Sequence, residues 1–79
     1  MKMEITVLTF GMITDVIGKS KFVFTDVAST DELKGKLERD FPGLKNIHYT
    51  LAVNKKLVTT STPLDDNATV ALLPPFSGG

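Results

Sequence analysis

The chain contains no cysteine, so its 79 residues must be held in one fold by packing alone. A domain of this length buries roughly 60–65% of its extended surface. Below about 80 residues a single core supplies only a few kcal/mol. Each large apolar side chain therefore belongs to that core or to an interface. The same absence excludes a disulfide framework, a zinc finger, thiol catalysis and a persulfide carried on this chain. One histidine, His48, leaves no histidine-rich metal site and no Ser–His–Asp triad, so no metal is expected. Nine basic residues balance nine acidic ones. Capture of nucleic acid or of an anionic membrane by charge is therefore not expected. A hydrophobic share of 42% is ordinary for a globular domain, and no apolar run approaches the roughly 18–20 residues that span a membrane. Glu4 and Asp15 interrupt the stretch where a signal peptide needs an apolar region. These features point to a cytoplasmic binding, carrier or subunit protein.

The chain has no repeat, low-complexity tract or charge block. From Met3 to Phe10, alternation places Met3, Ile5 and Val7 on one face of a strand and Glu4, Thr6, Leu8 and Phe10 on the other. Met12, Ile13, Val16 and Ile17 recur at helical spacing between Gly11 and Gly18, which predicts a short helix. Lys21-Phe22-Val23-Phe24-Thr25 reads as a second strand, hairpin-paired with the first. Ser29-Thr30-Asp31-Glu32 matches a capping box and opens a helix that buries Leu33 and Leu37. Glu32/Lys36 and Lys34/Glu38 are spaced for i,i+4 ion pairs on its wet side, and Pro42-Gly43 stops it. A loop with Leu44, Ile47 and His48 leads to a strand over Thr50 to Asn54. Asn54-Lys55-Lys56 then turns the chain into Leu57-Val58. Thr59 to Asn67 is polar, and a last strand runs from Thr69 to Leu73. The order β, short α, β, α, β, β, β predicts an α+β domain, a mixed sheet with the main helix on one face.

The chemically distinctive place is the carboxyl end. A strand delivers the chain to Pro74-Pro75, which cannot donate ladder hydrogen bonds and favour an extended conformation. Phe76, Ser77, Gly78 and Gly79 follow. Glycines without Cβ can thread a narrow channel. A carboxylate there, activated as an acyl-adenylate by an ATP-using partner, could accept sulfur or an amine. The competing reading is a frayed terminus rich in small residues.

Leu51-Ala52-Val53-Asn54, Leu57-Val58, Pro63-Leu64, Asp65-Asp66, Val70-Ala71 and Pro74-Pro75-Phe76-Ser77-Gly78-Gly79 resemble the small sulfur-carrier subunit of molybdopterin synthase. Ile5-Thr6-Val7-Leu8-Thr9-Phe10-Gly11 and Val16-Ile17-Gly18 fit the same pattern, so the resemblance covers nearly the whole chain. One departure is Asp65-Asp66-Asn67-Ala68-Thr69, where that family usually carries a glycine. Asn67 can take the left-handed turn conformation instead.

The resemblance implies a ubiquitin-like β-grasp domain over 1–73, with five strands, one main helix and a short helix after strand one. A flexible tail over 74–79 follows. It implies a carrier with no permanent cofactor, not catalytic by itself, whose Gly79 carboxylate is adenylated by an activating enzyme using ATP. The transient acyl-AMP is converted to a thiocarboxylate with sulfur from a donor protein. Pro74, Pro75, Phe76, Ser77 and Gly78 would thread into the large subunit, which holds the catalytic side chains, and sulfur would pass to a cyclic pyranopterin phosphate to form the dithiolene. Related readings are a carrier for thiamine thiazole or thiolated tRNA, against whose thiazole branch Pro74-Pro75 argues, and a ubiquitin-like modifier or adaptor.

Strands one and five are neighbours in a β-grasp sheet. Leu8, Phe10 and Leu73 then share the face away from the helix and form a partner-binding patch beside the tail. The alternative is that the short helix after Gly11 folds over Phe10 and buries it. Among lesser signals, His48 reads as a loop residue, Asp65-Asp66 as turn chemistry, and Lys55-Lys56 as a solvated hairpin tip. Asn67-Ala68-Thr69 is a glycosylation sequon that is inert without secretion. Phe22, Phe24 and Phe41 read as core or core-edge residues.

Overall fold

Alternation decides the first strand as expected. In the computed structural model, which describes residues 4–74, β1 (Glu4–Thr9) turns Ile5 and Val7 fully inward. Thr9 follows them to the inner face. Its hydroxyl donates to the Lys19 carbonyl at 2.6 Å and shares a 2.9 Å hydrogen bond with Thr14, so the buried oxygen is satisfied. The remaining elements are α1 (Met12–Ile17), β2 (Lys21–Thr25), α2 (Thr30–Asp40), β3 (Thr50–Val53), β4 (Lys56–Val58) and β5 (Thr69–Leu73). The strands form one sheet in the order β2-β1-β5-β3-β4. β1 and β5 run parallel and the other pairs antiparallel. This is the expected mixed five-stranded α+β architecture of a β-grasp. Leu33 and Leu37 of α2 and Ile13 and Ile17 of α1 pack on one face of the sheet against Ile5, Val7, Val70 and Leu72.

The capping box forms with a shifted partner. Ser29 Oγ accepts from the Glu32 amide at 3.3 Å, and Glu32 Oε1 accepts from the Ala28 amide at 2.8 Å, one residue before the cap. This commits Glu32, so its expected pair with Lys36 does not form. Lys36 Nζ instead donates to the Asp26 carbonyl at 3.0 Å. Lys34 and Glu38 do not pair either, because Tyr49 takes both. Its hydroxyl donates to Glu38 at 2.7 Å, and the Lys34 ammonium lies 5.5 Å from the ring centre. Burial, then the bond to the Glu38 carboxylate, raises the Tyr49 phenol above its ordinary value. Exposed ion pairs contribute little, and fixed backbone and ring partners outcompete them.

The segment after α2 is not a loop. Pro42, which lacks an N–H, opens a 3₁₀ turn over Pro42–Asn46 that drives Leu44 fully into the core. Phe22, Phe24 and Phe41 are half-buried and in contact, with ring centres 5.4 and 6.1 Å apart. In the polar loop before β5, Asp66 accepts from the Glu4 amide at 2.9 Å, and Asn67 takes a left-handed φ of 68°. Asp65 and Asp66 are thus turn builders.

The β3–β4 turn is tighter than expected. Val53 pairs with Lys56, so the connection is only Asn54 and Lys55, both left-handed at φ 50° and 74°. That is the geometry for which Asn-Gly is preferred. Lys55→Gly is expected to stabilise the domain by about 0.5–1 kcal/mol by relieving the Cβ strain at the second position. Urea denaturation reads this directly; a fall in stability would contradict the turn assignment.

Candidate functional site: an apolar trough beside the chain exit

The sheet's second face is built by register. Leu8 of β1 lies opposite Ala71 of β5, Ala71 opposite Ala52 of β3, and Ala52 opposite Leu57 of β4. Side chains directly opposite share a face, so these four make one row across four strands, turned away from the core. The middle positions are alanines and the outer ones leucines. A shallow trough of about 660 Å³ results, with Phe10 and Leu73 at the end where β1 and β5 finish. Leu57 is 64% exposed and Phe10 46%, while Leu8, Ala71 and Leu73 are half-buried. Such a contiguous apolar surface on a small domain makes this face a candidate interaction site.

The chain leaves the sheet beside this trough. Gly11 has φ 56° and ψ −133°, a conformation nearly restricted to glycine, and it turns the backbone from β1 into α1. A Cβ there would stand 3.4 Å from the ring of Pro74, so the half-buried proline seats against the Gly11 backbone. The turn carries α1 away from Phe10, whose ring stays exposed while its carbonyl accepts from the Ile13 amide at 3.1 Å. The alternative in which the short helix buries Phe10 is overturned.

Of the residues singled out from sequence, the structure brings Leu8, Phe10 and Leu73 together and places Pro74 next to them. Pro75, Phe76, Ser77, Gly78 and Gly79 lie outside the described residues, as does most of the tail expected over 74–79. Ala52, Ala71 and Leu57 line the same trough and were not anticipated there. The signal for Ala52 and Leu57 was the two-residue turn, since a link of Asn54 and Lys55 alone sets one opposite the other. For Ala71 it was the strand parity shared with Leu73. Among the described residues no three His, Asp or Glu side chains are grouped to hold a metal, and no helix is long and apolar enough to cross a membrane.

The sequence profile of the ThiS family matches residues 7–79. The chain belongs to the ThiS family. It is a member of the ubiquitin-like sulfur-carrier superfamily, as the carboxyl-terminal pattern implied. This ThiS-family chain is similar to a chain in the complex of subunits 1 and 2 of the molybdopterin-converting factor from Helicobacter pylori. That match has 31% identity and a TM-score of 0.75 and covers 98% of this chain and 100% of that one. It is also similar to the HVO 2177 protein of Haloferax volcanii, with 25% identity and a TM-score of 0.84 over 99% of this chain and 88% of that one. The small archaeal modifier protein 1 of Methanosarcina acetivorans matches with 18% identity and a TM-score of 0.84 over 100% and 99%. At that identity the likeness concerns the β-grasp fold alone.

Proposed function

We propose that this ThiS-family chain is the sulfur-carrier subunit of a molybdopterin synthase. What carries the reading is the apolar trough abutting the exit of a chain that ends Gly78-Gly79. The likeness to the Helicobacter pylori complex supports a large subunit as the partner, and the trough is the face we assign to it. In the cycle, a Gly79 carboxylate oxygen attacks the α-phosphate of ATP on the activating enzyme and pyrophosphate leaves. A persulfide on a donor protein then displaces AMP to give an acyl disulfide. A thiol cleaves that S–S bond, releasing the thiocarboxylate and leaving the donor sulfur in a disulfide. Inside the large subunit the thiocarboxylate sulfur attacks the cyclic pyranopterin phosphate. A C–S bond forms as a C–O bond to the same carbon breaks, and water cleaves the resulting thioester. This restores the Gly79 carboxylate and leaves the sulfur on the pterin. A second thiocarboxylate repeats the transfer at the neighbouring carbon, so two carriers supply the two sulfurs of one dithiolene. This chain supplies the reacting terminus, a tail without Cβ at its last two positions, and the docking face, while acid–base side chains come from the partner.

One second reading rests on the same Gly78-Gly79 terminus: the activated Gly79 forms an amide with a lysine instead.

Reconstitution tests the proposal. Purified carrier, activating enzyme, sulfur donor, ATP and large subunit should convert the cyclic pyranopterin phosphate to the dithiolene. Phe10→Ala should weaken binding of the large subunit by about 1–3 kcal/mol in a calorimetric titration, as loss of an exposed aromatic anchor. No dithiolene in this mixture, with sulfur accepted instead by a thiazole-forming or tRNA-thiolating system, would overturn the assignment.

A further inference from the structure

The opposite border of the sheet carries a second surface. β2 is an edge strand. The Thr9 amide donates to the Ser20 carbonyl at 3.0 Å, which fixes the alternation of the β1–β2 ladder. Phe22 and Phe24, opposite Val7 and Ile5, turn their backbone groups toward β1. Lys21, Val23 and Thr25 turn theirs outward. The same alternation predicts that Thr6 faces β5, and its amide indeed donates to the Ala68 carbonyl at 2.9 Å. Among the described residues no hydrogen bond engages the outward groups of Lys21, Val23 and Thr25. Natural edges are blunted by lysine, proline, a bulge or a covering segment. Of these, among the described residues, β2 carries only Lys21, its first residue. β2 has no proline, its pairing with β1 is unbroken, and Val23 is 52% exposed.

A groove of about 240 Å³ runs beneath this edge, between Val23, Phe24 and Thr25 on one side and Lys36, Arg39 and Asp40 of α2 on the other. Its rim carries two cations against one carboxylate. Arg39 is 73% exposed, and its contact with Asp40 is long at 3.4 Å.

We propose that β2 accepts a sixth strand from another protein, an extended segment with apolar side chains at alternate positions and carboxylates at its flank. Strand addition would satisfy the three outward N–H and three outward C=O groups. Because strand side chains alternate, every second one would enter the groove against Phe24 and the aliphatic stems of Lys36 and Arg39. The excess of cations selects the acidic flank. A second copy of this chain fits less well. Its Phe22 and Phe24 already pack against its own core, and it would set a second Lys36 and Arg39 against the first pair. The trough occupies the outer face of β1, β5, β3 and β4, so a strand on β2 leaves it and the Pro74 exit open. The carrier could be tethered at one border and docked at the other. This inference does not depend on the sulfur-carrier reading.

The test is a 15N–1H NMR titration of the full chain with the probe peptide acetyl-Val-Thr-Ile-Val-Val-Asp-Glu-Asp-amide. Without peptide, the amides of Lys21, Val23 and Thr25 should exchange with solvent faster than those of Phe22 and Phe24. With peptide, those three should shift downfield and become protected, while Leu8, Leu57 and Ala71 stay unmoved. Arg39→Glu should weaken binding roughly tenfold. The same peptide with its middle three residues N-methylated, hence unable to donate, should not bind, a control that leaves this protein's fold untouched. Three results would overturn the proposal. One is no shift at millimolar peptide, and another is shifts confined to the trough. The third is concentration-dependent shifts at Lys21, Val23 and Thr25 without peptide, which would mean that a second copy pairs there.

Discussion

Deletion of Gly79 is expected to abolish sulfur transfer to the pterin and to leave the melting temperature within about 1 °C of the full chain. The two halves of this result have separate causes. In the proposed cycle the terminal carboxylate is the reacting group, and a chain ending at Gly78 would present its carboxylate one residue short, about 3.3 Å back if the tail is extended. Group transfer is acutely sensitive to such a displacement. Stability should not respond, because among the described residues the buried core runs from Ile5 to Leu72. Thermal denaturation followed by circular dichroism, beside the reconstituted synthase assay, checks both halves. A truncated chain that still transfers sulfur, or one that melts many degrees lower, would each contradict the account.

Ala71→Arg is expected to reduce affinity for the large subunit at least about 100-fold, near 3 kcal/mol, without unfolding the domain. Ala71 is the floor of the trough, flanked in register by Leu8 and Ala52. An arginine there would fill the depression and place a charge where a dry apolar contact is required, at a desolvation cost no apolar partner compensates. The position faces away from the core, so the side chain reaches solvent in the free protein. Its cost to the fold is limited to the β-propensity range of about 1 kcal/mol. Calorimetric titration of the large subunit reads the affinity, and urea denaturation reads the fold. Unchanged affinity would remove the trough from the interface and leave the tail as the sole attachment.

The expectations that held were those set by the hydrophobic pattern. Ile5 and Val7 alternate inward, and Leu33 and Leu37 lie one helical turn apart on a buried face. Each is decided by burial of apolar surface, which a local pattern reports well. The patch of Leu8, Phe10 and Leu73 was legible for the same reason, as apolar residues at positions where parity called for polar ones. What failed was settled by particular hydrogen-bond partners and turn geometries that the hydrophobic pattern does not report. The ion pairs of α2 gave way because Tyr49, Asp26 and Ala28 offered fixed groups to Lys34, Glu38, Lys36 and Glu32. Leu44 entered the core through a 3₁₀ turn because Pro42 set its backbone, not because of any periodicity. Ala52 and Leu57 joined the trough through one hairpin register, and shortening the turn by a single residue moves a side chain to the other face.

Gly11 and Pro74 show a further layer. The left-handed φ of Gly11 is a local property, but its consequence is long-range. It turns α1 away, leaves Phe10 exposed, and gives Pro74 a surface to rest on. The exit of the chain and the exposed end of the trough are therefore set by the same turn. A partner that grips the trough is thereby placed next to the start of the tail.

The central claim is that Gly79 carries sulfur, and intact-mass spectrometry of the protein purified from its own cells tests it most directly. Replacing one carboxylate oxygen with sulfur adds about 16 Da, the same gain as oxidation of a methionine, so fragment ions must locate it. The chain has three methionines, and Met12 is 50% exposed. The account predicts that the gain falls on Gly79 and disappears when the activating enzyme is absent. An unmodified Gly79 under conditions that preserve thioacids, accompanied by branched peptides joining Gly79 to a lysine, would contradict it and make the protein a modifier.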